Sequence, residues 1–273
     1  TTYQWESSVN GGATYGNVTN GGIYGGATTN TLTITAASTA VSSTLYRCVA
    51  TGPCGSVTSG ARLLVVNALP SITVQPVDRT ICGGDNTTFE VIGSGAGVTY
   101  QWQVSTNGGA TFSNLTNVGI YSNATTGTLN ITAATTGENN NQYRCVVSGT
   151  CAPSVTSTAR TLTVNGVPTI TVQPVAAAVC NGANGSFNIT ATGTGLTYQW
   201  QESINGGATY SNLNNGGVYG GVTTTTLSLT GVTTGLNNYQ YRCVVSGTCT
   251  PSVTSAARTL TVHTLPAITT NPS

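Results

Sequence analysis

Cysteine is the residue type whose number and spacing could support covalent chemistry in this sequence. The chain has 273 residues and eight cysteines, which recur at regular spacings. Such a pattern indicates a disulfide framework, which forms in an oxidising compartment. A structural zinc site is disfavoured, because it needs paired cysteine or Cys/His spacings and the only histidine is His263. The eight candidate disulfide positions are Cys48, Cys54, Cys82, Cys145, Cys151, Cys180, Cys243 and Cys249.

The remaining composition argues against catalysis. Only 5% of the residues are charged, the net charge is +1, and all seven basic residues are arginine. No Gly-x-Ser-x-Gly elbow with a histidine partner occurs, and no pair of carboxylates repeats between copies. Binding to nucleic acid needs clustered lysine and arginine, and membrane insertion needs about 18 consecutive apolar residues. We therefore predict a non-enzymatic protein with no catalytic, cofactor-binding or metal site, no nucleic-acid partner and no membrane insertion.

The elements that must position the cysteines are repeated along the chain. Tyr-Gln-Trp and Tyr-Arg-Cys each occur three times. In every copy the cysteine stands 43 positions after the tryptophan, and a second cysteine follows six positions later. The repeat length of about 98 residues is that of an ordinary domain. We predict that the aromatic residues of these motifs are core residues: Trp5, Trp102, Trp200, Tyr46, Tyr143 and Tyr241.

The repeat predicts four segments. Residues 1–67 form a partial module, residues 68–165 and 166–264 form complete modules, and residues 265–273 form the first strand of a following module. The first copy lacks the stretch that holds Cys82 in the second copy. We expect the sequence to be a window onto a longer tandem array. The alternative is strand donation, in which a neighbouring molecule completes the first copy.

The dominant periodicity within each copy is two. Thr128-Leu129-Asn130-Ile131-Thr132 alternates polar and apolar residues, which is typical of a strand with one buried face. Asn107-Gly108-Gly109 predicts a tight hairpin, because these residue types accept the backbone angles that such turns require. Many short strands separated by turns, in units of about 98 residues, indicate a β-sandwich.

The order of motifs resembles that of the immunoglobulin superfamily. Trp102 matches the strand C tryptophan, Leu129-x-Ile131 matches strand E, and Tyr143-x-Cys145 matches strand F. The predicted fold is all-β, with tandem immunoglobulin-like β-sandwich modules in an extended array. The resemblance also implies a tyrosine corner. In such a corner Tyr46, Tyr143 and Tyr241 would each donate a hydroxyl hydrogen bond to backbone upstream.

A closer resemblance is to bacterial immunoglobulin-like repeats. Tyr-Gln-Trp-Gln, Asn-Gly-Gly-Ala-Thr and Tyr-Arg-Cys-Val-Val-Ser-Gly-Thr-Cys are similar to repeats in giant cell-surface adhesins of Bacteroidetes. Those proteins leave the cell by type IX secretion. The resemblance implies an exported, extracellular or cell-surface protein in an oxidising environment.

Three cysteines in each complete module leave four pairing schemes open. The first joins Cys82 to Cys145 within a module. The second joins Cys82 to Cys151, which the related bacterial modules favour but the placement of the two loops at opposite ends of a sandwich opposes. The third joins Cys82 to Cys249 and so links the A–B turn of one module to the F–G loop of the next. The fourth is a local bond of the Cys145–Cys151 type within one module.

The predicted function is a structural stalk segment of a secreted or cell-surface adhesin. Its expected partners are neighbouring modules of the same chain and identical filaments. One alternative is a filament subunit polymerised by strand complementation. Another is a carbohydrate-binding module with a surface glycan or host ligand, and its candidate aromatics are Tyr15, Tyr24, Tyr121, Tyr210 and Tyr219.

Two pairs of arginines are predicted to project outward into solvent from the neighbouring strands F and G. They are Arg144 with Arg160, and Arg242 with Arg258.

Overall fold

The computed structural model describes residues 1–264 and Pro266. It confirms an all-β chain of tandem immunoglobulin-like sandwiches. We refer to them as the first, second and third modules, which contain strands β1–β7, β8–β18 and β19–β29. The predicted strand at residues 265–273 lies outside the described residues except for Pro266. No helix in the described part of the chain has the length and apolar character needed to cross a membrane.

The second module has two facing sheets. In immunoglobulin lettering, one sheet runs C′–C–F–G–A′ (β13-β12-β16-β18-β9) and the other runs B–E–D (β10-β15-β14), while β8 pairs with β11. The strands are β8 (Ser71–Val74), β9 (Arg79–Cys82), β10 (Thr87–Glu90), β11 (Ile92–Ser94), β12 (Thr99–Ser105), β13 (Ser113–Asn114), β14 (Tyr121–Ser122), β15 (Thr128–Ile131), β16 (Gln142–Ser148), β17 (Val155–Thr156) and β18 (Arg160–Asn165).

The third module repeats this arrangement. Its sheets run β20-β29-β27-β23-β24 and β21-β26-β25, and β19 pairs with β22. The strands are β19 (Thr169–Val172), β20 (Ala177–Cys180), β21 (Gly185–Asn188), β22 (Thr190–Thr192), β23 (Thr197–Ser203), β24 (Ser211–Asn212), β25 (Tyr219–Gly220), β26 (Thr226–Leu229), β27 (Gln240–Ser246), β28 (Val253–Thr254) and β29 (Arg258–His263).

The first module contains the strands from C onward. They are β1 (Thr2–Ser8), β2 (Gly16–Asn17), β3 (Tyr24–Gly25), β4 (Thr33–Ile34), β5 (Thr44–Gly52), β6 (Gly55–Thr58) and β7 (Arg62–Leu64). Each module also has one turn of 3-10 helix before strand F, at Thr39–Val41, Thr136–Glu138 and Thr234–Leu236.

Each module has its own hydrophobic core, and none of the three buried clusters includes a residue of another module. In the second module Trp102 is fully buried opposite Cys145, and Phe89 stacks on Tyr143 with ring centroids 4.9 Å apart. Aromatic burial of this kind is a large stabilising contribution. Since the cores are separate, the joints between modules need other interactions to hold them.

Candidate functional site at the joints between modules

The second and third modules are joined by a disulfide between Cys82 and Cys249. Their Cα atoms are 5.8 Å apart, and 167 positions separate them in the sequence. Cys82 ends strand β9 of one module, whereas Cys249 lies in the F–G loop of the next, between β27 and β28. The bond therefore connects two folded units that do not share a core.

Parallel pairing of β9 with β18 brings Cys82 to the joint. This register places Cys82 beside Asn165, the last residue of strand G. Two hydrogen bonds fix the turn that follows Cys82. Gly83 N donates to Asn165 O at 2.8 Å, and Cys82 N donates to Asp85 Oδ2 at 3.2 Å. The sulfur is thus held at the end of the module where the chain leaves for the next one.

A series of hydrogen bonds among the linker, the B–C loop and the F–G loop positions Cys249 of the third module. Thr194 N donates to Gly166 O at 3.0 Å, and Gly166 N donates back to the Thr194 hydroxyl at 2.9 Å. Thr248 N then donates to Thr194 O at 2.8 Å. The next residue, Cys249, has its sulfur 3.6 Å from Asn165 O and is almost fully buried. The linker, the B–C loop and the F–G loop therefore position this cysteine together.

The joint between the first and second modules has the same backbone-to-backbone hydrogen bonds without the covalent bond. Ala96 N donates to Ala68 O at 3.2 Å, and Thr150 N donates to Ala96 O at 2.8 Å. The Cys151 sulfur lies 3.7 Å from Asn67 O. Cys151 is a free thiol, and the described part of the first module has no strand equivalent to β9 that could supply its partner.

The third module repeats the Cys82 arrangement at its far end. Strands β20 and β29 pair in parallel and place Cys180 beside His263. Asn181 N donates to His263 O at 2.9 Å, as Gly83 does to Asn165 in the second module. Cys180 is free and exposed.

Of the four pairings left open by the sequence, the structure contains only the third, Cys82–Cys249, among its described residues. Cys145 is fully buried opposite Trp102 on the neighbouring strand, and so it cannot reach Cys82 at the module end. Burial raises the pKa of the Cys145 and Cys243 thiols to about 11, which favours the neutral, unreactive form. Cys48 and Cys54 are also free.

The predicted core aromatics lie in the interior of their modules. Trp102, Trp200, Tyr143 and Tyr241 are fully buried, and Tyr46 is nearly so. Trp5 is half-buried and packs against the small cluster of the first module. The core in which it lies has no described A or B strand, which accounts for its greater exposure.

The expected tyrosine corner was wrong. The Tyr143 hydroxyl lies 3.1 Å from the Tyr121 hydroxyl, and Tyr46 and Tyr241 meet Tyr24 and Tyr219 in the same way, at 2.8 and 3.1 Å. The tyrosine of strand D crosses the module and occupies the position that backbone was expected to fill. Burial and this hydroxyl partner raise the pKa of Tyr46 to about 12.

The strand F arginines are partly buried rather than simply solvated. Arg144 Nε donates to Gln103 Oε1 at 2.7 Å, and its guanidinium lies over the Phe112 ring at 3.9 Å. The other modules repeat this geometry, with Arg47 over Tyr15 and Arg242 over Tyr210. The strand G arginines donate to proline carbonyls: Arg160 to Pro76 and Arg258 to Pro174. Each of these five arginines therefore has a defined partner within its own module.

These contacts also involve the aromatics proposed for carbohydrate binding. Arginine covers one ring face of Tyr15 and of Tyr210. The hydroxyls of Tyr24, Tyr121 and Tyr219 are bonded to core tyrosines, and all five candidates are at least half-buried. The structure thus gives these side chains roles within their own modules.

The joint also uses residues that the sequence did not single out. Thr194 and Gly166 bridge the B–C loop to the linker, and the buried Pro168 packs close to Gly247 of the F–G loop. A signal was available in the sequence. Glycine occurs on both sides of Thr194, and such a pattern marks close backbone approach.

Comparison with known proteins agrees with this architecture. A family model described as Domain of unknown function (DUF8696) matches residues 72–166. An I-band fragment of titin matches at 16% identity, with 96% of this chain and 88% of that chain covered and a TM-score of 0.70. Sidekick-1 immunoglobulin domains 1–4 match at 19% identity, with 96% and 68% covered and a TM-score of 0.52. A search of curated proteins finds no match. At these identities the likeness shows the fold.

Proposed function

We propose that this chain is a non-enzymatic stalk segment of a secreted or cell-surface adhesin, in which tandem modules carry tension. The observation that supports this most directly is the bond between Cys82 and Cys249, which joins two independent cores. A disulfide also fits an extracellular, oxidising location. The module boundaries proposed for the array are those predicted from the repeat, at residues 67, 165 and 264.

The position of the disulfide in the chain determines which strands bear load when the protein is under tension. When the chain is pulled from its two ends, force reaches Cys82 early in the second module and can pass through the disulfide to Cys249. Strands β10 to β27 lie between these cysteines in the sequence and are bypassed. The bond would keep most of two modules folded at forces that unfold an unbridged module.

The resemblance to bacterial adhesin repeats supports the surface location and the stalk role. The low charge supports it as well, because neutral Thr, Asn and Gly faces let neighbouring stalks lie side by side without long-range repulsion. Identical filaments and the adjoining modules are therefore the proposed partners of this segment.

Single-molecule force spectroscopy of the oxidised chain, held at Thr1 and Ser273, tests the proposal. The 167 positions between the bridged cysteines should be missing from the final extension. At about 3.3–3.6 Å per residue this is a shortfall of about 550–600 Å. The Cys82→Ser and Cys249→Ser double variant should recover that length.

The matched control is Cys151→Ser, which alters a cysteine at the other joint and should leave the shortfall unchanged. Equal extensions for the oxidised chain and the double variant would show that the modules are not bridged under load, and would remove the main support for a tension-bearing role.

A further inference from the structure

We propose that the bond between Cys82 and Cys249 is one of a continuous series of disulfides between successive modules. Cys180 and Cys151 would each be one half of a further disulfide to an adjoining module of the same repeat, and we call them half-links. The partner of Cys180 would be a cysteine in the F–G loop of an adjoining module. The partner of Cys151 would be a cysteine at the end of an A′ strand. This inference deepens the proposed function and rests on it, but its test reads bond connectivity and not extension.

Cys180 is placed as the bonded Cys82 is placed. In both modules the A′ strand pairs in parallel with strand G, and the cysteine lies opposite the last residue of that strand, Asn165 or His263. The residue after each cysteine donates its N–H to the carbonyl of that opposite residue, at 2.8 and 2.9 Å. The local backbone that holds Cys82 at a joint is therefore already formed around Cys180.

Cys151 is placed as the bonded Cys249 is placed. Its sulfur lies 3.7 Å from Asn67 O, and the Cys249 sulfur lies 3.6 Å from Asn165 O. The preceding threonine of each loop donates to the B–C loop at 2.8 Å in both modules. Since Asn165 is the residue beside Cys82, the carbonyl of Asn67 marks the place where an A′ cysteine would stand in the first module.

The chemistry of each half-link is an ordinary thiol oxidation. Two S–H bonds break, one S–S bond forms, and two protons and two electrons leave. They are taken up by a disulfide-bearing oxidant such as glutathione disulfide or a thiol–disulfide oxidoreductase, which is reduced to two thiols.

The spacing of the cysteines makes successive links overlap. Cys180 lies between Cys82 and Cys249 in the sequence, and so its link would begin before the observed one ends. Between the half-links at Cys151 and Cys180, only residues 152–179 would remain in the loaded path. A series of such links would turn a string of separate domains into a strand of very low extensibility.

The test is a chain with an added module, made by inserting a second copy of residues 169–266 directly after Pro266. The second copy carries Cys180→Ser, which removes the competing thiol, and Thr250→Ser, which marks its F–G peptide by mass. After oxidation with glutathione disulfide, non-reducing peptide mapping should find Cys180 of the first copy bonded to the marked Cys249 peptide. Cys82 should stay bonded to the unmarked one.

The matched control adds Cys249→Ser in the second copy only, and should leave Cys180 open to alkylation. If Cys180 is alkylated to the same extent in both chains, the proposal is overturned. Oxidation of the chain without the added module, under the same conditions, determines whether the partner of Cys180 lies in the same polypeptide or in a second molecule. Disulfide-linked dimers through Cys180 assign the partner to a second molecule, whereas monomers, together with the bond in the lengthened chain, assign it to the same polypeptide.

A second variant tests the other half-link independently of the first. Placing residues 68–97 before Thr1 supplies the first module with strands A, A′ and B and with a copy of Cys82. Peptide mapping should then show the copied cysteine bonded to Cys151, and Cys151→Ser should abolish that peptide pair. A folded chain in which both thiols stay free would contradict the proposal for this joint.

Discussion

The two joints of this chain have nearly the same backbone, and the main difference between them is one covalent bond. At the joint between the second and third modules, Cys249 lies against Asn165 and is bonded to Cys82. At the joint between the first and second modules, Cys151 lies against Asn67 with its thiol free. The loops converge on the linker in both places through the same N–H donors.

This difference shows that the disulfide does not create the geometry of the joint. The sulfur of the F–G loop residue Cys151 approaches the Asn67 carbonyl, in the linker after strand β7, to within 3.7 Å even though the described part of the first module supplies no partner cysteine. The hydrogen bonds of the B–C loop and the linker must therefore set the arrangement, and the disulfide makes it permanent. Variants at matched positions of the two joints can separate these contributions.

The largest effect is expected from breaking the covalent bond itself. Cys82→Ser should lower the free energy of unfolding of the second and third modules together, because the unfolded chain regains the freedom of a loop of 167 residues. The chain-entropy treatment gives about 5 kcal/mol for a loop of this length. Chemical denaturation of the oxidised variant and the oxidised parent measures the difference.

The unbridged joint provides the control for that experiment. Cys151→Ser replaces a weak thiol donor by a hydroxyl donor of similar size and should change the free energy of unfolding by less than about 0.5 kcal/mol. A loss of several kcal/mol in this control would mean that the cysteine side chains stabilise the joints through packing, and that the disulfide is not the main source of the stability.

A smaller effect is expected from the glycine that lets the B–C loop approach the linker. Gly95 has φ +134°, and a Cβ there would lie 2.8 Å from Leu69 O and 2.9 Å from Pro70 Cα. Gly193 has φ +146° and is tight mainly against the end of the Leu196 side chain, at 2.8 Å. Gly95→Ala should therefore cost about 2–3 kcal/mol and Gly193→Ala about 1–2 kcal/mol.

Denaturation and hydrogen exchange together check this ordering. The Ala96 amide should exchange much faster in Gly95→Ala, because that joint is held by contacts alone. The Thr194 amide should stay protected in Gly193→Ala, since the disulfide keeps its joint closed. Equal loss of protection at the two amides would indicate that the bond does not restrain the linker.

The fold was predictable from the sequence because its signals are local. The alternation in Thr128–Thr132 predicted strand β15, which the structure has at Thr128–Ile131, and Trp102 is fully buried. Phe89 and Val91 are likewise buried on the strand B face. Period-two patterns and repeated aromatics are read directly from neighbouring residues, and the repeat supplied three independent readings of each.

The joint was less predictable because its partners are far apart in the chain. No short-range sequence pattern distinguishes the Cys82–Cys249 pairing from the Cys82–Cys145 pairing. Only the folded structure decides between them, because it places each cysteine either at an end of its sandwich or in the interior. The tyrosine corner was wrong for a related reason, since the partner of Tyr143 is the hydroxyl of Tyr121 from the opposite sheet. The arginines were assigned to solvent because the stacking ring, such as Phe112, comes from a loop 32 residues away.

The smallest expected effect comes from one hydroxyl group that only the bridged joint has. The Thr194 hydroxyl accepts a bond from Gly166 N at 2.9 Å, whereas the equivalent residue at the other joint, Ala96, has no side-chain acceptor. Thr194→Ala should therefore lower the free energy of unfolding by about 0.5–1.5 kcal/mol. Ala96→Thr should raise it by a similar or smaller amount if the new hydroxyl reaches Ala68 N.

Both changes should be measured in chains that carry Cys82→Ser, so that the hydrogen bond is compared without the disulfide at either joint. Exchange of the Gly166 and Ala68 amides reports the bond directly. Gly166 should lose protection in Thr194→Ala, and Ala68 should gain it in Ala96→Thr. If the Gly166 amide is as protected after Thr194→Ala as before, the hydroxyl contributes nothing to the joint, and the two joints differ in the disulfide alone.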